Sequence, residues 1–295
     1  MSQNGSRITA EEYAMKHPHL QLSLVERKEL EERSVRLFCL GNELIDRVRP
    51  QLPDSLKECL VLQFTNYETP QAKAGGFAPE LNIISISMGL ISRILTVSRA
   101  LSLEEHTKQS VERAMFTLVM GHELTHVVFG HNEITDEEPI EASAMEVHSD
   151  YFSGLYLGRL SHSEGSDAAL EATGAILAIL AGALLFSELG GDRTETYHSA
   201  PVRLTVVLAG YLRWVMEHSP VAAVQMQATL NIKNLNFLID DAIQETAIAE
   251  KVRSCLSFAM SADESLSDTI QAAEALRKKW HRQSSLLAPI RDQLD

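Results

Sequence analysis

The chain contains the pentapeptide HELTH at residues 122–126. An α-helix is one of the few structures in which the two histidines of this motif can act together. Residues four apart lie on one face of an α-helix, so His122 and His126 can bind the same metal ion there. Glu123 follows the first histidine and would lie beside the open side of that ion. Two imidazoles and a neighbouring carboxylate are the groups with which zinc sites activate water, so these residues form the first candidate site.

The sequence around the motif predicts the helix that it requires. Ser102-Leu-Glu-Glu105 has the pattern of a capping box that would begin this helix, and Gly130 is well placed to end it. Between them, apolar residues and both histidines recur at intervals of three and four: Val111, Met115, Leu118, Val119, His122, His126 and Phe129. We therefore expect both histidines on an inward face, where little water reaches the metal.

A third protein ligand is expected downstream, because catalytic zinc commonly has three protein ligands and one water. Glu146 is the leading candidate, since Asp150 lies four residues later on the same predicted helical face. Glu146 would supply a ligand oxygen, and Asp150 would accept a hydrogen bond from the second ring nitrogen of a ligand histidine. From spacing alone, Glu141 and His148 remain alternatives.

The composition limits the class of protein. Apolar residues make up 45% of the 295 positions, as in ordinary soluble globular proteins, and a formal charge of −14 disfavours a nucleic-acid partner. Cys39, Cys59 and Cys255 are widely spaced and odd in number, which favours the reduced thiols of a cytoplasmic protein. No signal peptide is visible, and the longest uncharged stretch, 172–187, is shorter than a stable membrane span requires.

The remaining sequence predicts a small amount of strand within a mostly helical chain. Ser23-Leu-Val-Glu26 is a capping box that would begin a helix ending near Val48. CLVLQFT and NIISIS, at 59–65 and 82–87, predict two strands, with Gly75-Gly76 in their connection. Further helices are predicted at 88–98, 137–160, 167–189, 200–217, 236–256 and 264–285.

Four blocks of this sequence together resemble the superfamily of HtpX-like and CAAX-prenyl endopeptidases, which are gluzincin zinc metallopeptidases. HELTHVVFGH has the length and terminal histidine of the extended zinc motif, and MEVHSDYFSG matches the Glu-x-x-x-Asp motif at Glu146 and Asp150. QAKAGGFAPELNIISISMGLI and YHSAPVRL are similar to flanking elements, although Pro201 and Arg203 are displaced by a residue or more. The resemblance spans roughly residues 59–205 and omits the superfamily's transmembrane helices.

This resemblance implies an α+β, predominantly helical, zincin-like metallopeptidase fold with a small antiparallel or mixed sheet beside the active-site helix. It implies one zinc ion per chain, held by His122, His126 and Glu146, with Asp150 behind the ligands. The activity would be that of an endopeptidase, in which a metal-activated water attacks the peptide bond and Glu123 acts as general base.

The resemblance also implies roles for residues outside the metal site. His198, with Tyr197 and Arg203 as alternatives, would stabilise the oxyanion, and strand 71–78 would hold a protein or peptide substrate by β-augmentation. His131 matches the zinc motif, but a histidine just beyond a helix end commonly interacts with the helix dipole or with solvent.

The expected organisation is a mobile tail (1–22), an N-terminal helical segment (23–58), a catalytic domain (59–217) and a C-terminal helical segment packed on the core (218–295). Two other functions stay open. The chain could be a catalytically silent zincin-fold protein that acts as a binding or regulatory module. It could also be a phage-defence or regulatory protease with a single substrate. The sequence does not identify the substrate or the oligomeric state.

Overall fold

Most of the described chain is helical. The computed structural model describes residues 5–52, 54–78, 81–131, 139–161, 180–186, 199–218, 239–240, 242–243 and 245–259. The helices are α1 (Ala10–Lys16), α2 (Leu24–Val48), α3 (Asp54–Lys57), α4 (Met88–Arg99), α5 (Glu105–Val128), α6 (Pro139–Ser161), α7 (Ala200–His218) and α8 (Thr246–Ala259). The strands are β1 (Leu60–Thr65), β2 (Ala72–Ala78) and β3 (Leu81–Ser87). Across these ranges, no helix combines the length and apolar character needed to cross a membrane.

Helix α2 begins and ends where the sequence predicts. The Ser23 hydroxyl accepts a hydrogen bond from the Glu26 amide, and the Glu26 carboxylate accepts one from the Ser23 amide, 2.8 Å away. This capping box satisfies two amides that would otherwise lack a partner at the helix N-terminus. Leu30, Leu37 and Leu44 recur along one face of the helix and are buried. The predicted helix from Ser23 to about Val48 is confirmed.

The three strands form one mixed sheet in the order β1-β3-β2. β1 runs parallel to β3, and β2 runs antiparallel to β3. The two predicted strands are confirmed as β1 and β3, but Gly75 and Gly76 lie within β2 instead of in a connection. Their backbones pair with Ile83 and Asn82 of β3. Because backbone pairing needs no side chain, glycines can lie within a strand that their own residue type does not indicate.

The N-terminal residues differ from the predicted mobile tail. Thr9 and Glu12 form a capping box at the start of α1, and Ala10 and Tyr13 are buried. Glu31 of α2 accepts hydrogen bonds from the Arg7 guanidinium and from the Ala10 amide, each at 2.6 Å. Burial of Tyr13 and these charge-assisted hydrogen bonds offset the conformational entropy that the N-terminal segment loses when it becomes ordered.

Contacts divide the chain into two compact units. One contains residues 1–96, 123–136 and 277–295, and the other contains residues 97–122 and 137–276. The boundary falls within α5, which is one continuous helix from Glu105 to Val128. The predicted catalytic segment, 59–217, therefore contributes residues to both units.

Glycines allow α6 to approach two other helices closely. A Cβ atom on Gly154 of α6 would lie 2.0 Å from the carbonyl oxygen of Val207 in α7, and one on Gly210 of α7 would lie 2.0 Å from the carbonyl oxygen of Tyr151. A Cβ atom on Gly121 of α5 would lie 3.0 Å from Cα of Ser153. Each contact brings backbone to backbone at a distance that a side chain would prevent. Gly121 immediately precedes the HELTH motif, so this packing sets the position of its first histidine.

Two predicted helix boundaries are wrong, and one pairing explains both. Leu101 forms an antiparallel bridge with Ile243, and the Ser102 amide donates to the Ala242 carbonyl at 2.8 Å. α5 begins only at Glu105, so Ser102 lies too far from its first turn to cap it. The bridge also interrupts the predicted 236–256 helix, so that α8 begins only at Thr246.

The other predicted helices agree with the structure where it describes them. α4, α6 and α7 match the predictions for 88–98, 137–160 and 200–217 within two residues at each end. Residues 180–186 are helical, and the rest of the predicted 167–189 helix lies outside the described residues. The predicted 264–285 helix lies outside them entirely. α5 ends at Val128, and Gly130 has a φ of 67°, which is the left-handed conformation that a glycine adopts beyond a helix end.

Candidate metal centre

His122 is the most constrained side chain of the candidate site. Its Nδ1 lies 2.9 Å from Asp150 Oδ1, and its Nε2 lies 3.0 Å from Glu146 Oε2. Glu146 and Asp150 are one turn apart on α6, so the imidazole of His122 is held between two carboxylates of one helix. The structure thus brings Glu146 and Asp150, the two residues predicted from their spacing, to opposite ring nitrogens of His122.

His122, His126 and Glu146 could hold a metal ion. His126 lies one turn beyond His122 on α5, and the ligand atoms of the three side chains all lie within 4.8 Å of one another. Two ligand atoms of tetrahedral zinc lie about 3.3 Å apart at ordinary bond lengths. The 3.0 Å between His122 Nε2 and Glu146 Oε2 is close to that spacing. Two imidazoles and one carboxylate are also a donor set that zinc prefers, so the residues fit the ion.

The two alternative third ligands stand apart from this group. His148 is on α6 but is not one of the grouped residues, and its ring packs on Phe152 with the ring centroids 4.7 Å apart. It lies only two residues from Glu146, and this spacing turns the two side chains to different faces of a helix. The side chain of Glu141 lies outside the described residues.

Asp150 connects the site to α7 through Arg203. The guanidinium Nε donates to Asp150 Oδ2, and Nη2 donates to Oδ1, both at 2.8 Å. Arg203 also lies over the Phe186 ring, with Cζ 4.9 Å from the centroid. A bidentate pair of this kind fixes both the rotation and the charge of the carboxylate. Arg203 was an alternative for oxyanion stabilisation, but in this structure its guanidinium is engaged by Asp150.

The electrostatics keep Asp150 ionised. Burial alone would raise the pKa of its carboxyl group, but the Arg203 cation and the hydrogen bonds from Arg203 and His122 outweigh burial and hold the pKa below its ordinary value. Burial would likewise lower the pKa of His122, but hydrogen bonds with Asp150 and Glu146 outweigh it and raise that pKa to about 10. His122 thus lies where two carboxylates attract positive charge, and the same carboxylates would attract a metal cation at Nε2.

His131 has a role that the sequence interpretation missed. It is 2% exposed, which excludes the contact with solvent that was one of the two alternatives. Its Nδ1 lies 3.1 Å from Nδ1 of His126, and one of the two nitrogens donates a hydrogen to the other. The left-handed backbone at Gly130 turns the chain so that His131 faces back to the end of α5. His131 therefore engages Nδ1 of His126.

The other predicted site residues are placed as follows. Glu123 follows His122 on α5 and is buried. Strand 71–78 corresponds to β2, which pairs with β3 and has no second strand neighbour among the described residues. His198 and its alternative Tyr197 lie outside the described residues.

Comparisons with protein-family models, with curated proteins and with solved structures find no match. The assignment therefore depends on geometry. Of the residues that form the site, sequence pattern identified His122, His126, Glu146 and Asp150, but it did not identify Arg203 or His131 as their partners. Gly121 and Gly154 could have indicated close helix packing, but the residues that they contact are distant in sequence.

Proposed function

We propose that this chain is a zinc-dependent endopeptidase with a zincin-like fold. The observation that supports the proposal is the convergence of His122, His126 and Glu146, whose ligand atoms lie within 4.8 Å of one another. Glu123 completes the HExxH pattern on the same helix. A protein that only needed a structural metal would have no use for this additional carboxylate beside the ligands.

His122, His126 and Glu146 would hold one zinc ion per chain. When bound, zinc polarises a carbonyl group and makes a water molecule more acidic. Asp150 orients His122 through Nδ1, so that Nε2 is the nitrogen directed to the metal position. Arg203 keeps Asp150 charged and fixed, and His131 does the corresponding positioning for His126.

Glu123 is the proposed general base. It would accept the proton of the attacking water and deliver that proton to the leaving amine as the peptide bond breaks. Burial of Glu123 limits competition from bulk water for this proton. His198 is the proposed donor to the oxyanion, with Tyr197 as the alternative.

The substrate proposed is a protein or peptide in extended conformation. β2 is suited to bind it, since among the described residues one side of β2 has no strand neighbour and can offer backbone hydrogen bonds to an added strand. We place the protein in the cytoplasm, because no disulfide joins any of its three cysteines. The net charge of −14 makes nucleic acid an unfavourable partner.

The decisive experiment is cleavage of a proteome-derived peptide library by zinc-loaded protein. Glu123→Gln keeps the size of the side chain but removes the base, and we expect it to lose at least about a hundredfold in rate. Glu104→Gln is the matched control, because Glu104 is an exposed glutamate next to the start of the same helix. Mass spectrometry of the products, with and without a chelator, gives the rate and the cleavage sites.

The outcomes separate the competing functions. Full activity of Glu123→Gln would exclude the proposed mechanism. One zinc ion per chain without cleavage of any peptide would favour a silent zincin that serves as a binding module. Cleavage of one host protein, but not of the library, would favour a single-substrate defence or regulatory protease. Tight zinc binding by Glu146→Ala at the HExxH site would overturn the assignment of the third ligand.

A further inference from the structure

A second group of metal-binding side chains lies at the end of α1. His17, His19 and Glu68 offer ring nitrogens and a carboxylate oxygen that all lie within 4.8 Å of one another. Glu68 Oε2 is 2.8 Å from His19 Nε2 and 3.5 Å from His17 Nδ1. These separations bracket the 3.3 Å or so expected between two ligand atoms of a tetrahedral zinc ion.

The hydrogen bonding of His17 prepares it to bind a metal. Its Nε2 lies 3.2 Å from the carbonyl oxygen of Asn66, and a carbonyl can only accept, so Nε2 carries the hydrogen. In the neutral ring the lone pair is therefore on Nδ1, which is the nitrogen nearer Glu68. Metal-binding histidines characteristically donate their other ring N–H to a carbonyl or carboxylate in this way.

The backbone holds both halves of the group in place. The Gly89 amide donates to the Tyr67 carbonyl at 2.9 Å, and the Ser87 hydroxyl donates to the Thr69 carbonyl at 2.8 Å. Glu68 lies between these two anchors, and a Cβ atom on Gly89 would lie only 1.8 Å from its carbonyl oxygen. On the other side, the His17 ring packs on the buried ring of Tyr13 with centroids 5.0 Å apart.

We propose that His17, His19 and Glu68 form a second, exchangeable zinc site that fastens the end of α1 to the loop between β1 and β2. Two imidazoles and one carboxylate leave the fourth position of the ion to solvent. The His19 side chain is 60% exposed and that of Glu68 is 44% exposed, so the ion can enter and leave without unfolding. Zinc bound here stabilises the attachment of the N-terminal segment in proportion to the free zinc concentration.

Zinc titration of the full-length chain tests this site. The protein is prepared without a histidine tag, stripped with a chelator, and titrated with zinc chloride against a chromophoric competitor. We expect wild type to bind one equivalent more than His19→Ala or Glu68→Gln, both of which change exposed side chains. His106→Ala is the matched control, because His106 also lies near a glutamate, with Nδ1 3.3 Å from Glu104 Oε2, but belongs to no three-residue metal-binding group among the described residues.

A second measurement guards against misfolded variants and separates this site from the HExxH site. Zinc should raise the unfolding temperature of His122→Ala, in which only the second site is intact, and should raise it less when His19→Ala is added. If His19→Ala and Glu68→Gln bind as many equivalents as wild type and His106→Ala, the second site does not exist. If wild type binds a single equivalent that His19→Ala removes and His122→Ala keeps, the second site stands and the proposed catalytic site fails.

Discussion

At the scale of single residues, the candidate site depends on partners that hold the ligands in place. His122 is held through Asp150 and Arg203, and His126 is held through His131. The ligands come from local motifs of five residues each, but Arg203 is 53 residues from Asp150. Local spacing can predict ligands on one helix face, whereas a partner brought in by another helix requires the tertiary structure.

Arg203 should contribute to stability as well as to metal binding. Arg203→Ala leaves the buried Asp150 carboxylate without its cation, and we expect unfolding free energy to fall by roughly 3 kcal/mol. Arg203→Lys keeps the charge but not the two parallel hydrogen bonds. Its unfolding free energy should therefore lie between those of wild type and Arg203→Ala. Urea denaturation of chelator-treated protein measures the loss, with Arg213→Ala of the same helix as control, since Arg213 donates to the exposed Glu217 and to the Tyr151 hydroxyl instead of to a buried carboxylate. Equal stability of the Arg203→Ala and Arg213→Ala variants would contradict the role.

His131 should affect zinc affinity at the HExxH site without being a ligand. His131→Ala removes the partner of His126 Nδ1, and we expect roughly 10- to 100-fold weaker zinc binding. His131→Asn can still accept a hydrogen bond from His126 and should restore part of the affinity. Competition with a chromophoric chelator gives both values. If His131→Asn loses as much zinc affinity as His131→Ala, His131 acts through its packing and not through the hydrogen bond with His126.

At the scale of elements, close helix packing is expected to be intolerant of added atoms. In Gly154→Ala the new methyl group would meet the Val207 carbonyl oxygen at 2.0 Å, which forces α6 and α7 apart. We expect a destabilisation of roughly 1–3 kcal/mol by urea denaturation. Gly75→Ala is the control, since a Cβ atom there would meet no described residue within 4 Å apart from its two chain neighbours. A Gly154→Ala protein as stable as Gly75→Ala would show that the helices adjust without cost.

The attachment of α1 to α2 should depend on pH. Burial would raise the pKa of Glu31, but hydrogen bonds from Arg7 and from the Ala10 amide outweigh it, so the pKa lies below its ordinary value. A lowered pKa in the folded state means that the ionised carboxylate stabilises the protein above about pH 4.3. This contribution is lost as the pH falls through the folded-state pKa. Unfolding temperatures of wild type should therefore exceed those of Glu31→Gln near neutral pH and converge with them in acid, whereas a constant difference would exclude this explanation.

Elements with local signals were predictable from their own residues, whereas β2 was expected only from the family resemblance. Ser23 and Glu26 identified α2, and alternation identified β3, because each signal acts within a few residues. β2 has glycines where strand-forming residues would be expected, and it exists through its pairing with β3. Ser102 has the residues of a capping box, but its amide is taken by the carbonyl of Ala242, 140 positions away in the chain. In these cases tertiary contacts outweigh local preference.

At the scale of the whole molecule, the two compact units are interleaved in sequence, since residues 123–136 belong with 1–96 and residues 97–122 belong with 137–276. The boundaries predicted at 58 and 217 divide the chain consecutively instead, and they stay a prediction. Interleaving needs contacts between distant segments, and the periodicity of a single segment carries no information about them.

The reactivities of Cys39 and Cys255 measure how readily the regions around these two cysteines open. Cys39 is exposed and should react with a maleimide within the mixing time, whereas Cys255 is buried in α8. Burial raises the pKa of the Cys255 thiol to about 12, so it lacks both access and thiolate at neutral pH. We expect Cys255 to be labelled only through opening of its surroundings, at a rate that rises with sub-denaturing urea. Peptide mapping after timed quenching separates the sites, and labelling of Cys255 as fast as Cys39 in native buffer would contradict the packing of α8.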